Sequence, residues 1–259
     1  MSNSQQNYIV GIGEALWDML PEGRKIGGAP ANFTYHVSQF GLDAVAVSAV
    51  GDDELGAEIR QTFEEKDLQT QLATVPYPTG TVAVTLDAKG IPQYEICEGV
   101  AWDNIPFSPE LEALARNTIA VCYGTLAQRN SVSRKTIESF IAAMPADGIK
   151  ICDINLRGTF YNKEILESSM RACDILKIND EEIDEVSRLL GAEFPTQRMA
   201  ALNLMSRYEI DILISNAHTN CHQKIKSNRR GCLVSQRWFA EWVEREGQCH
   251  FQFEIPYFW

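Results

Sequence analysis

The chain has 259 residues, of which 45% are hydrophobic and 22% charged, which suits one large α/β domain or two small ones. Its net charge of −12 argues against a nucleic-acid surface or an anionic membrane as partner. No apolar run reaches membrane-spanning length, and Met1–Asn7 lacks the apolar core of a signal peptide, so a cytoplasmic location is expected.

Tyr8–Ile12 reads as a buried strand and Pro30–Phe40 as a helix, with Phe33, Val37 and Phe40 at helical spacing and Gly41 as its stop. Between them lies Gly27-Gly28-Ala29-Pro30-Ala31-Asn32. Two glycines let a ligand approach the main chain, and proline is well tolerated at the first helical position. A polar ligand is thereby offered backbone N–H groups together with Asn32, although the same pattern also makes plain loop-to-helix junctions. Ala44–Val50 is an unbroken apolar run, as in a strand covered on both faces. Glu54–Lys66 reads as a helix with Leu55, Ile59 and Phe63 on one side.

Thr81–Ala88 then alternates Val82, Val84 and Leu86, turns at Lys89-Gly90, and continues through Tyr94 and Ile96, which predicts an antiparallel hairpin outside the main sheet. Alternation resumes with strand Thr118–Tyr123, helix Arg134–Met144 and strand Ile149–Ile154. Helix Lys163–Cys173, strand Ile175–Ile178, helices Glu181–Leu190 and Thr196–Tyr208, and strand Asp211–Ser215 follow. Strand–helix repetition of this kind gives a mainly parallel sheet with helices on both faces. The seven cysteines (Cys97, Cys122, Cys152, Cys173, Cys221, Cys232 and Cys249) are odd in number, and several sit in apolar runs. They read as buried free thiols in a reducing compartment.

Ligands of open parallel sheets bind beyond the carboxyl ends of the strands. Polar residues of this chain collect there: Asp18 after the first strand, Gln128 and Arg129 after Thr118–Tyr123, Asp153, Asn155 and Arg157 after the next, and Lys177, Asn179 and Glu182 after the one beyond. Carboxylates and amides pair sugar hydroxyls, which both donate and accept, and arginine matches phosphate geometry. Each residue has a plainer reading as well. Asp18 suits a turn, Arg157 a surface ion pair, and Glu182 the first turn of a helix, where the dipole favours a carboxylate. Gln128 and Arg129 divide evenly between the two.

Taken together, Gly11-Ile12-Gly13-Glu14-Ala15-Leu16 with Asp18, the Gly27–Asn32 run, Gly51-Asp52-Asp53 with Gly56, Asp153-Ile154-Asn155-Leu156-Arg157 and Lys177-Ile178-Asn179-Asp180-Glu181-Glu182 resemble the ribokinase/fructokinase family of PfkB-type sugar kinases. The Glu-Ala-Leu and Asp-x-Asn-Leu-Arg segments look most like fructokinases. The resemblance implies a ribokinase-like three-layer α/β fold over residues 8–215, with a β-lid near 76–104 that covers the sugar and mediates a homodimer contact. It also implies ATP-dependent phosphorylation of a sugar hydroxyl with magnesium. Asp18, Gly27, Gly28, Asn32, Gln128, Arg129, Asn155 and Arg157 would then lie at the substrate. Lys177, Asn179 and Glu182 would serve the nucleotide, Asn179 and Glu182 holding Mg2+ through water.

Residues 216–259 depart from that pattern. They hold three of the four histidines and three of the five tryptophans, with six Lys/Arg against four Asp/Glu, and end on Tyr257-Phe258-Trp259. The family's Asp-Thr-x-Gly-Ala-Gly-Asp segment, whose glycines would form an anion hole and whose last aspartate would be the base, is not found, and no aspartate follows Asp211. No catalytic residue is therefore assigned. The expectation is a divergent tail in place of the nucleotide-binding region, from an altered coding segment, and a catalytically defective sugar-binding remnant is the alternative to an active kinase. His218, Cys221, His222 and Cys232 do not follow a recognised zinc spacing. A nicotinamide-binding fold fits poorly, since Leu16 stands where the Gly11-x-Gly13 fingerprint needs a third glycine.

Overall fold

The computed structural model describes residues 7–86, 92–216, 225–226 and 232–236. The turn at Lys89-Gly90, residues His218, Cys221, His222, Trp238, Trp242 and Cys249, and the alternating Phe251, Phe253 and Ile255 lie outside the described residues, as does the side chain of Cys232. The chain forms two compact units, 1–161 and 162–259.

In the first unit a parallel sheet is built from β1 (Tyr8–Ile12), β4 (Ala44–Gly51), β5 (Gln69–Val75), β8 (Thr118–Gly124) and β9 (Ile149–Asp153). They lie side by side in the order β5-β4-β1-β8-β9, and every pairing is parallel. The β4 residues are buried throughout, as an unbroken apolar run requires. Helices α1 (Ala29–Gln39), α2 (Glu54–Glu65), α3 (Pro109–Arg116) and α4 (Ser131–Ala143) complete this unit, with a short 3-10 turn at Ala101–Asn104 and another at Leu126–Gln128. Helix α1 packs on β1 and β4, and Ala31, Ala46, Val50, Ile59, Phe63 and Leu68 meet there in one core cluster with Ala15 and Trp17.

The predicted hairpin is present as β6 (Gly80–Leu86) and β7 (Pro92–Ile96), paired antiparallel. It belongs to a second sheet, ordered β3-β2-β6-β7, whose other strands are β2 (Leu16–Leu20) and β3 (Gly23–Gly27). Strands β2 and β3 have no counterpart in the hydrophobic periodicity. Leu16-Trp17-Asp18-Met19-Leu20 does not alternate, because Leu16 and Trp17 are both buried while Met19 is exposed. The usable signal is local: Pro21-Glu22 is a turn, followed by Gly23, between two β-capable segments. Asp18 accordingly stands inside β2 rather than in a loop after the first strand. Strand β5 and helix α3 likewise have no clear counterpart in the hydrophobic periodicity. Helix α3 starts with a Ser108 cap and Pro109, a helix-start signature.

The second unit contains α5 (Lys163–Ala172), β10 (Ile175–Asn179), α6 (Asp180–Leu189), α7 (Gln197–Tyr208) and β11 (Ile212–Asn216), followed by β12 (Ile225–Lys226) and β13 (Cys232–Gln236). Its strands run in the order β10-β11-β13-β12, with β13 parallel to β11 and β12 antiparallel to β13. Part of the divergent tail thus extends the strand order. Asn162 and Thr196 cap α5 and α7 by accepting N–H groups at 2.9 and 3.3 Å. Ile165, Leu166, Met170, Leu176, Ile178, Ile183, Val186, Leu204 and Leu213 are all buried. Cys122, Cys152 and Cys173 are buried as expected, but Cys97 is exposed, because it follows the β7 strand of the small sheet instead of lying in an apolar core strand.

Candidate functional site

The carboxyl end of β1 and the amino end of α1 are locked together by two glycines. A Cβ on Gly11 would overlap the Pro30 carbonyl oxygen, and one on Gly28 would overlap the Glu14 carbonyl oxygen. Gly28 also sits at φ 119°, a conformation that side-chain-bearing residues rarely adopt. It is the cap residue of α1, and its carbonyl accepts the Asn32 amide at 3.0 Å. Pro30 opens the helix without an N–H to waste, and Thr34 Oγ1 donates to its carbonyl at 2.6 Å. Asn32 is therefore held half-buried in the first turn of α1.

Asp18 on β2 is half-buried, and a Cβ on Gly27, one strand away on β3, would stand 2.7 Å from its Oδ2. Burial raises the Asp18 carboxyl above the ordinary range, while the nearby Arg157 guanidinium pulls it back down. Arg157 is exposed; its Nη1 donates to the Leu156 carbonyl at 3.2 Å. The same cation acts on Glu14, as does the Asp153 carboxylate at the end of β9. Asn155, two residues on, adopts the left-handed conformation at φ 42°, open to few residues besides glycine and asparagine. One end of this unit therefore gathers Glu14, Asp18, Gly27, Gly28, Asn32, Asp153, Asn155 and Arg157: carboxylates, amides and one cation around a fixed backbone turn.

Glu14 belongs to the same Gly11–Leu16 segment, and no spacing rule marks it out. Its Oε1 accepts the Ala29 amide at 3.1 Å, and its Oε2 is buried without a partner. Burial pushes its carboxyl up to about 7. A signal existed in the sequence: an acidic residue between Gly13 and Ala15, directly after a buried strand, has little chance of reaching solvent.

Gln128 and Arg129 follow β8 but are committed elsewhere. Gln128 is buried, and its amide donates to the Gly124 carbonyl at 2.8 Å. Arg129 grips Asp103 through Nε at 2.8 Å and Nη2 at 2.9 Å, and Nη2 also donates to the Cys97 carbonyl. Its guanidinium is 4.0 Å from the Trp102 ring centre and 4.5 Å from that of Phe160. The pair is deeply buried, with Asp103 at 2% and Arg129 at 7% side-chain exposure. This arrangement fastens the exit of β7 to the end of β8.

The Gly51-Asp52-Asp53 motif builds a junction. Asp53 caps α2 through Gly56 N–H at 2.8 Å and also accepts the Thr79 amide at 2.8 Å and hydroxyl at 2.6 Å. Burial alone would raise this carboxyl, but the Thr79 and Gly56 hydrogen bonds outweigh it and hold it below the ordinary range.

In the second unit, Lys177 lies on β10 and Asn179 ends it. Asn179 Oδ1 accepts the Glu182 amide at 2.8 Å and Glu182 Oε2 accepts the Asn179 amide at 2.9 Å, a reciprocal cap of α6. These are hard oxygen donors of the kind Mg2+ prefers, but the only side-chain oxygen of Asn179 and one of the two of Glu182 are engaged by the helix start. Such a pair fits an ion held through its waters. Among the described residues no cluster of three or more His, Cys, Asp or Glu could hold a metal directly, and no helix is long and apolar enough to cross a membrane.

Comparison with known proteins places these features in context. The pfkB family carbohydrate kinase profile matches residues 22–216. The ATP-dependent 6-phosphofructokinase of Thermoanaerobacterium thermosaccharolyticum is 25% identical over 209 residues, covering 74% of this chain and 63% of that protein. The fructokinase of Salmonella typhimurium is 26% identical over 190 residues, covering 68% and 61%. The structure of fructokinase with bound ATP from Xylella fastidiosa superposes with a TM-score of 0.70 at 19% identity, covering 83% of this chain and 73% of that one. The chain spans about three-fifths of the length of the two curated relatives.

Proposed function

The chain belongs to the pfkB family of carbohydrate kinases, and from that premise we propose that it binds a sugar at the β1–β2–α1–β9 cluster and transfers a phosphoryl group from ATP to a sugar hydroxyl. The observation that carries the proposal is the coupling of Asp18 and Arg157 beside a glycine-locked helix start. A half-buried carboxylate accepts two hydroxyl donors, the Asn32 amide both donates and accepts, and neither needs to reorganise when the sugar arrives. Fructose is the first sugar to try, since fructokinases and a 6-phosphofructokinase are among the relatives, though their names differ in acceptor.

In this reading Gly27 and Gly28 let the sugar reach the main chain, Asn155 lines the pocket and Arg157 serves the phosphate; in the second unit Lys177 serves the nucleotide. Asn179 and Glu182 hold magnesium-bound water. When bound, ATP supplies the phosphoryl group and Mg2+ neutralises its charge. The small sheet serves as a lid that keeps water from the phosphoryl group, and it is the proposed surface of a homodimer. Arg129 acts through the lid, fixing the strand exit at Cys97, rather than by touching sugar. The compartment proposed is the cytoplasm.

The test is calorimetric titration with fructose, followed by a coupled assay with fructose, ATP and Mg2+. Fructose binding that Asp18→Ala weakens by roughly 1.5–3 kcal/mol supports the site. Equal affinity in both proteins removes Asp18 from it. A second reading, a sugar-binding chain with defective transfer, is favoured by the sequence of residues 216–259, which contains no aspartate to act as base. Loss of a general base costs about 10²–10⁴-fold in rate. Binding with negligible turnover selects this second reading, and turnover near one per second, typical of kinases at the slow end, selects the first.

A further inference from the structure

The motif Gly51-Asp52-Asp53 with Gly56 takes no part in the sugar cluster, yet its atoms converge on one residue outside it, Thr79. Thr79 is only 3% exposed and directly precedes β6, the first strand of the small sheet's hairpin. Asp53 Oδ2 accepts the Thr79 amide and Asp53 Oδ1 its hydroxyl; that hydroxyl in turn accepts the Gly51 amide at 2.9 Å. The two glycines make this approach possible. A Cβ on Gly51 would stand 2.5 Å from Asp53 Oδ2, and one on Gly56 would stand 2.9 Å from the Thr79 hydroxyl.

The neighbours of Thr79 are held as well. The Pro78 carbonyl accepts the Ala101 amide at 2.8 Å, and Gly80 lies against the Trp102 indole, where a Cβ would stand 2.2 Å from Nε1. Three consecutive residues thus have a different partner each. Beyond them β6 runs parallel to β2, with Gly80 beside Leu16 and Val82 beside Asp18. The place of Asp18 therefore depends on the strand that Thr79 starts. Asp53 itself is exposed. It contributes hydrogen bonds and little packing, and bonds to a charged acceptor are the stronger kind.

We propose that Asp53 is a positioning residue for Asp18: through Thr79 it fixes residues 78–80 as the pivot of the β6–β7 hairpin, and through β6 it sets where β2 lies. Sugar affinity then depends on Asp53, although Asp53 touches no sugar. That last consequence, and only that, rests on the sugar-site reading.

Asparagine caps a helix as well as aspartate does. In Asp53→Asn the side-chain oxygen still accepts the Gly56 amide and keeps the start of α2, while the new NH2 group meets the Thr79 N–H donor to donor. Hydrogen exchange of the full chain should show protection of β6 and β2 falling about tenfold, with α2 and β9 level. Thr79→Val, which lacks the hydroxyl shared by Gly51 and Asp53, should do the same, and Thr79→Ser should keep the wild-type protection. Unchanged β6 protection in both Asp53→Asn and Thr79→Val overturns the proposal. So does a loss shared equally by α2 and β9, since that is the mark of general support. Fructose titrations separate the two claims. Affinity should fall about tenfold in Asp53→Asn and stay at the wild-type level in Thr79→Ser. Wild-type affinity in Asp53→Asn, with β6 loosened, refutes the positioning of Asp18. A wild type that binds no fructose, while the variants loosen β6 and β2 as expected, ends the sugar reading and leaves the pivot in place.

Discussion

Burial raises two carboxyls near the helix start, Glu14 and Asp18, and both bind protons more readily in the folded chain than in the unfolded one. The direction of the stability effect follows from linkage. Between the ordinary 4.5 of a glutamate and the value of about 7 for Glu14, the folded protein holds a proton that the unfolded chain releases. Folding stability therefore declines as pH rises through that window, by at most ~3 kcal/mol from this residue. Urea unfolding at a series of pH values should show the decline in the wild type and a flatter profile in Glu14→Gln. Asp53 behaves oppositely. Its lowered carboxyl contributes stability above the unfolded value that is lost as pH falls through the folded one. Such individual behaviour was legible only in part. The sequence pointed to Asp18 and Asn32 through their position at strand and helix ends, whereas Glu14 is defined by a missing hydrogen-bond partner, which depends on packing that no spacing rule encodes.

At the scale of elements, the anchor between β7 and β8 deserves a direct measurement. Arg129→Ala strips Asp103 of its counter-ion inside the protein, and breaking a buried pair from one side typically costs about 3–5 kcal/mol. Denaturant unfolding should report that loss, and a double change with Asp103→Ala should recover part of it. Arg129→Lys should not rescue, because an ammonium cannot grip both carboxylate oxygens and lie between Trp102 and Phe160. Asn179→Ala should cost roughly 1 kcal/mol through the lost α6 cap whether or not magnesium is present. A greater loss of apparent Mg2+ affinity than of stability would assign the side chain to the ion. The elements with clean periodicity, β4, β8 and α2, stand within a residue or two of where their apolar spacing put them. Strand β2 is hidden because Leu16 and Trp17 are both buried, so alternation fails, and β3 is mostly exposed with only its end buried. The placement of Arg129 was open for a related reason: Asp103 is 26 positions away, and a long-range ion pair leaves no local trace.

For the whole molecule, the α/β class followed from strand–helix alternation, a property of many residues at once and so robust to local errors. The small sheet was half visible: its hairpin alternates, and its other two strands do not. Residues 216–259 show no sustained periodicity. Strand β13 nonetheless lies parallel to β11, from Ile212 beside Cys232 to Asn216 beside Gln236. If the composition change after Ser215 reflects an altered reading frame, the encoding DNA read in a shifted frame beyond that codon will spell Asp-Thr-x-Gly-Ala-Gly-Asp. Sequencing decides the matter, and a DNA without that segment in any frame makes the tail an element in its own right.

Gly11 and Gly28 also set the terms on which this chain can evolve. Each fills a space that even a methyl group would close, one against Pro30 and the other against Glu14. The helix start cannot slide toward or away from β1 by small mutational steps, since the first step at either glycine meets a collision. A lineage drifting toward a new ligand must leave that backbone alone and exchange what hangs from it, at positions such as 18, 32 and 157. A saturation library should record this as near-complete intolerance at the two glycines, beside broad tolerance of folding at the three neighbours.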